Sequence, residues 1–220
     1  MPWFTPEFEK FLKELKSNND KDWFNANKKR YEKDVKIPFE KFIGDMILRM
    51  QMYDPKCRIQ PKDAIFLIYR DVRSSKDKTP YKIQVSAVVS TGGRKDMTLS
   101  GMYLEMGDKH LRIYGGVYMP DKDQLQAIRQ EILYNQKDFE SLISEKQFKK
   151  HFGEIRGEKN KRFSTEFAEI QDQQPLIANK QFYYFSDLDP SLITSDSLVD
   201  KLYELYEISQ PIRQFLHPPL

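Results

Sequence analysis

The sequence predicts an α+β protein, a mainly antiparallel sheet (a meander with a hairpin) packed against N-terminal and C-terminal helices. Three observations carry that expectation. Apolar residues recur at helical spacing over the first 52 residues, period-two alternation and a hairpin pattern occupy the middle, and helical spacing returns after Asp121 and again after Leu198. With 220 residues and no repeat or linker-like stretch, the chain is expected to form one domain, residues 1–220.

Taken in order, Thr5 precedes a run in which Phe8, Phe11, Leu12 and Leu15 share one helical face, and Asn18 and Asn19 end it. Trp23, Asn27, Tyr31 and Val35 then recur every four residues, with Trp23 and Phe24 as core anchors. Pro38 suits a first helical turn, and Phe39, Phe42, Ile43, Met46 and Met50 continue the pattern, so a break is expected near Ile37. Residues 64–69, AIFLIY, are apolar at every position, which predicts a strand buried on both faces with Arg70 at its exit. Ile83, Val85, Ala87 and Val89 alternate with Gln84, Ser86, Val88 and Ser90, the pattern of a half-buried strand.

Residues 98–118 read as a hairpin turning at Gly107 and Asp108. That register sets Leu104 against Leu111 and Met102 against Ile113 on one face, and Glu105 against His110 and Tyr103 against Arg112 on the other. Asp121 opens a helix through Leu125, Ile128, Arg129, Ile132 and Leu133. Residues 139–180 are rich in Lys and Glu and show no clear period. Phe182–Phe185 form a late strand, and Leu198, Leu202, Leu205, Ile208, Ile212 and Phe215 mark a last helix interrupted near Pro211.

Composition excludes several classes of function. No apolar run reaches the ~18 residues a membrane-spanning helix needs, and the first residues lack the basic-then-apolar order of a signal peptide, so a cytoplasmic protein with no membrane partner is expected. Cys57 is the single cysteine and leaves no intrachain disulfide or thiolate cluster. His110, His151 and His217 lie far apart and no HExxH occurs, so no metal site is expected. The chain also lacks GxxxxGK[ST], GxGxxG and GxSxG, the signatures of common nucleotide cradles and of the hydrolase elbow. No cofactor follows from the residues.

One segment stands out. RDVRSSKDKTPYK at 70–82 holds Arg70, Arg73, Lys76, Lys78 and Lys82 against Asp71 and Asp77, five positive and two negative, a sum of +3 that equals the net charge of the whole chain. Arg70 and Arg73 present planar forks that match a carboxylate or phosphate. Ser74, Ser75 and Thr79 add hydroxyls, and Tyr81 adds a ring or a phenol. The residues expected to bind an anion are Arg70, Arg73, Lys76, Lys78, Tyr81 and Lys82, with Asp71 and Asp77 ordering the loop. The plainer reading is a solvated charge run in which Asp71 and Arg73 shape a turn. Glu105 with His110 is a weaker acid and base pair, and Gly115 with Gly116 a weaker phosphate cradle than a site of close backbone approach.

The segments NNDKDWF at 18–24, RYEKDVKIPFEKFI at 30–43, RDVRSSKDKTPYK at 70–82, GMYL at 101–104 and GGVYMP followed by LQAIRQEI are similar to a family of uncharacterised bacterial and fungal proteins, domain of unknown function 2461. The resemblance implies a single domain and directs attention to Arg70, Asp71, Arg73, Lys76, Asp77, Lys78, Tyr81 and Lys82. It brings no established activity, substrate or cofactor. Its pattern implies Phe after the second Arg, where this chain has Ser74. Three partners are compatible with the basic loop: a phosphate- or carboxylate-bearing small molecule, with catalysis as an open option; a nucleic acid stacking on Tyr81, Tyr103 or Tyr114; and an acidic protein docking on the same cations.

Overall fold

The structure, a computed structural model, describes residues 1–96, 101–162 and 164–218. Pro6 at the start and Glu7 and Glu9 in the first turn favour a helix N-terminus, and α1 spans Pro6–Ser17 with Phe8, Phe11, Leu12 and Leu15 buried on one face. Asp20 caps α2 (Lys21–Ala26), its carboxylate accepting from the Trp23 amide at 2.8 Å. The short α3 (Lys28–Arg30) leads into a π-helical stretch, Tyr31–Lys36, and on into α4 (Ile37–Tyr53). The break expected near Ile37 is therefore this π-helical stretch within a continuous helical path. Pro38 has no N–H to donate, and the wider turn ends at Lys36, two residues before it. A short α5, Pro61–Ala64, follows.

The sheet is a four-stranded antiparallel meander of β1 (Gln84–Val89), β2 (Met102–Gly107), β3 (His110–Val117) and β4 (Phe182–Asp187), paired in that order. Two expectations for its strands are reversed. Residues 64–69 do not form a doubly buried strand: Ala64 ends α5, and the extended run beyond it touches its neighbour through two isolated antiparallel bridges, Ile65 with Ala87 and Tyr69 with Tyr81. Three residues separate the bridges on one side and five on the other, so a bulge interrupts the ladder. Leu67 and Tyr69, 63 % and 56 % exposed, face solvent from this edge. β1, expected to be half-buried, is instead buried on both faces from Val85 onward, Ser86 and Val88 included.

The hairpin turns one residue later than expected. Gly107 is the last residue of β2, and Asp108 and Lys109 make the turn, with Lys109 at φ 54°. Gly107 is there for space: a Cβ on it would lie 3.1 Å from the Ile83 carbonyl oxygen and 3.2 Å from the Gln84 Cβ. Of the residues 98–118 read as a hairpin, 98–100 lie outside the described residues.

Beyond the meander come α6 (Lys122–Tyr134), capped by Asp121, then α7 (Gln136–Ser144), α8 (Lys146–Phe152) and α9 (Thr165–Ala168), which give form to the segment without a legible period. The last helical stretch is α10 (Leu198–Ile208) and α11 (Gln210–Phe215), divided at Ser209 just ahead of Pro211.

The chain divides into two compact units. The first comprises Met1–Lys95, Tyr103–Ile113 and Asp187–Leu202. Its core is aromatic: Phe4 lies 4.6 Å from Phe8 and 5.2 Å from Phe42 between ring centroids, and Phe24 stacks on Tyr81 at 4.0 Å. Each fully buried Phe contributes roughly 1.5–3 kcal/mol. The second unit comprises Asp96–Met102, Tyr114–Ser186 and Tyr203–Leu220. Its centre is Tyr184, fully buried with Phe148 and Phe152 edge-on at 5.1 and 4.9 Å, and its hydroxyl pKa is pushed up to about 12 by burial. Among the described residues no helix is long and apolar enough to cross a membrane.

Candidate functional site

The basic loop lies in the first unit and closes at its base. Tyr69 bridges Tyr81, the Arg70 amide donates to the Pro80 carbonyl at 2.9 Å, and the Lys82 amide donates to the Ile68 carbonyl at 2.7 Å. A side chain far away in sequence pins this base. The Asn19 amide group donates to the Tyr81 carbonyl at 2.9 Å and accepts from the Tyr81 amide at 3.0 Å, occupying both backbone groups of one residue. Asn19 stands two residues beyond the end of α1, so the helix end and the loop base are fixed to each other.

Inside the loop the two carboxylates do the folding. Asp77 accepts from the Thr79 amide and hydroxyl, both at 2.9 Å, and from Arg70 Nη1 at 2.5 Å; Arg70 Nη1 also donates to the Thr79 hydroxyl and, at 3.2 Å, to the Thr79 carbonyl. These donors, the Thr79 amide foremost, hold the Asp77 pKa down at about 2. Asp71 receives the Arg73 fork, Nε at 2.9 Å and Nη2 at 2.5 Å, together with the Arg73 amide at 3.2 Å, and its carboxyl is likewise held below the usual range.

The predicted anion-binding residues therefore separate into distinct environments. Arg70 and Arg73 both sit on loop aspartates, although the Arg73 side chain is 88 % exposed. Lys78 Nζ donates to the Val72 carbonyl at 2.9 Å and to the Arg73 carbonyl at 3.4 Å. Lys76 is exposed and makes no ion pair among the described residues. Tyr81 is buried, stacked on Phe24 and packed 5.6 Å from Tyr69, so it supports the loop from beneath. Ser74, where the family pattern implies Phe, is exposed.

Lys82 joins the loop to the meander. Its ammonium lies 5.5 Å from the centre of the Phe66 ring, and burial lowers its pKa against the opposing pull of Glu105. Phe66 meets Tyr103 edge-on at 5.8 Å, the Tyr103 hydroxyl donates to Glu105 at 2.9 Å, and His110 Nε2 lies 3.1 Å from the other Glu105 oxygen. The pair read from the hairpin is thus in contact, with a phenol added to it. Arg112 makes a two-pronged bond to Asp187, 2.5 Å from Nε and 3.0 Å from Nη2. Chemically the set offers a carboxylate, an imidazole, a phenol and a partly desolvated ammonium beside the loop's cations.

Other candidates resolve toward packing. Cys57 is fully buried and its thiol is pushed up by that burial, which makes it a poor nucleophile. Gly115 and Gly116 mark close approach: a Cβ on Gly115 would lie 2.6 Å from the Tyr184 ring, and one on Gly116, at φ +92°, 2.2 Å from the Phe182 carbonyl oxygen. The α6 N-terminus beyond them already holds the Asp121 carboxylate, 2.8 Å from the Gln124 amide. Among the described residues no group of three or more His, Cys, Asp and Glu side chains is placed to hold a metal ion.

A charge-based reading of the sequence overlooks a second basic run. Residues 156–162, RGEKNKR, hold Arg156, Lys159, Lys161 and Arg162 against Glu158, four positive and one negative, again +3. Acidic stretches elsewhere offset it in the total, so counting charge in short windows finds it where the net charge does not. Asn19 and Thr79 escape a count of charged residues altogether.

Fold and site together define an α+β protein with an internally braced basic loop at the open edge of an antiparallel meander. The chain belongs to the conserved hypothetical protein family DUF2461, whose model matches residues 7–215. Comparison with curated proteins and with solved structures gives no match.

Proposed function

We propose that the loop at 70–82 is a binding element for a small molecule bearing a phosphate or carboxylate group. The observation that carries this reading is the division of labour inside the loop. Asp71 and Asp77 are consumed in folding it by pairing with Arg73 and Arg70, and Asn19 anchors its base, so the remaining loop cations Lys76 and Lys78 are presented on a fixed backbone, while Lys82 lies over Phe66. Preorganised cations bind an anion without first losing conformational freedom. Lys76 supplies the open ammonium, Lys78 keeps one donor beyond its two carbonyl bonds, and Arg73 retains the outer edge of its guanidinium. The reading is one of binding, in the absence of a reaction that the residues specify. A nucleic acid or an acidic protein would use the same cations, but burial of Tyr81 takes away the ring that base stacking on this loop would need.

Calorimetric titration with inorganic phosphate, a sugar phosphate and a dicarboxylate tests the proposal. At least one should bind, and Lys76→Glu with Lys78→Glu should weaken it about ten-fold or more. Absence of heat for all three, or affinity unchanged by the double reversal, refutes it.

A further inference from the structure

The second basic run lies against the free edge of β4, in the second unit. Arg156 bridges Tyr183, its amide donating to the Tyr183 carbonyl at 2.7 Å and its carbonyl accepting from the Tyr183 amide at 3.1 Å, and Lys159 bridges Asn179. The run therefore pairs with β4 at Tyr183 and with the segment ahead of β4 at Asn179. Phe182 and Tyr184 turn into the core while Tyr183 and Phe185 turn to the open face. There Phe185 packs 5.4 Å from Tyr114, and Tyr118, 52 % exposed, meets Tyr183 edge-on at 5.5 Å. The Arg156 guanidinium lies 4.2 Å from the centre of the Phe185 ring, with Nη1 bonds to the Phe152 and Glu154 carbonyls at 3.3 Å and its Nε 3.7 Å from the Glu154 carboxylate.

Glu158 is engaged by Lys180 at 3.2 Å, whereas Lys159, Lys161 and Arg162 are exposed and make no ion pair among the described residues. Aromatic rings at alternate positions of a strand stand ~7 Å apart along it. The cation-bearing run is paired with residues 179–183 of that edge, a span of roughly 13 Å. Rings that accept any base and cations that follow a backbone are the two components of sequence-tolerant single-strand binding.

We propose that this aromatic face, flanked by Arg156, Lys159, Lys161 and Arg162, binds single-stranded nucleic acid. Bases stack on Tyr118 and its neighbours, and phosphates meet the cations of the edge segment. The proposal uses no residue of the loop at 70–82 and does not depend on what that loop binds.

Fluorescence anisotropy of labelled single-stranded oligothymidine and oligouridine with the full chain provides the test, with circular dichroism to verify that each variant is folded. Four phosphate contacts on a single strand give a salt slope near −3, so raising salt from about 50 to about 200 mM should weaken binding about fifty-fold. Tyr118→Ala, at an exposed position, should weaken it about ten-fold, and Lys161→Glu with Arg162→Glu should abolish it, while Arg73→Glu leaves it unchanged. The proposal is overturned by no binding at low salt, by equal affinity for duplex, by an intact response in Tyr118→Ala, by loss in Arg73→Glu alone, or by polyglutamate competing as well as unlabelled oligonucleotide. The last result would point to an acidic protein.

Discussion

Asp77 shows how one exposed carboxylate sets the shape of the basic loop. The Thr79 amide, the Arg70 guanidinium and the Thr79 hydroxyl all favour its charged form and hold its pKa at about 2. An aspartate in the unfolded chain titrates near ~3.9, so on acidification the unfolded state takes up its proton first. The stabilisation is complete above the unfolded pKa and is lost as pH falls through the folded one, a window from ~4 down to about 2. A carboxyl-carbon titration by NMR should give Asp77 a midpoint at about 2, with the Thr79 amide shifting in step. A midpoint at the ordinary value would mean that these bonds do not persist in solution. The pairing of Asp71 with Arg73 was legible in the sequence because the two residues are neighbours but one. The burial of Tyr81 was not, because the Phe24 ring that covers it comes from another part of the chain.

Between elements, the decisive contact is the Asn19 clamp. Its amide closes two hydrogen bonds to Tyr81, joining the end of α1 to the base of the loop. Asn19→Ala leaves both backbone groups of Tyr81 unpaired in a partly buried place and should cost about 1–3 kcal/mol, read from the urea midpoint. The Tyr81 amide should exchange faster with solvent in the same variant. Asn19→Asp retains the acceptor and loses the donor, so it should fall between the two; an alanine variant as stable as the parent would show the clamp to be incidental. Helices α1, α4 and α6 were legible because amphipathic spacing is local. The exchange of burial between residues 64–69 and β1 was not, because an apolar run carries no record of its place in the sheet. Residues 65–69 lie outermost, and β1, between them and β2, has neighbours on both edges.

At the scale of the whole molecule, the net charge of +3 conceals two separate surpluses of the same size, at 70–82 and 156–162. It therefore says little about partners until it is resolved along the chain. The α+β class was legible from the order of its periodicities, but the division into two units was not: four of its five boundaries fall inside β2, β3, β4 and α10, where local pattern changes nothing. We propose that the units unfold as one cooperative domain, because loss of either would break strands and a helix that it shares with the other. Both tryptophans, Trp3 and Trp23, belong to the first unit. Tryptophan fluorescence therefore reports on that unit alone, while far-ultraviolet circular dichroism sums the helices of both. If the chain is a single domain, the two signals fall together in urea, with one midpoint and one slope. A fluorescence transition displaced from the dichroism transition would instead make the units independent domains, and the loop at 70–82 would then share its stability with the first unit only.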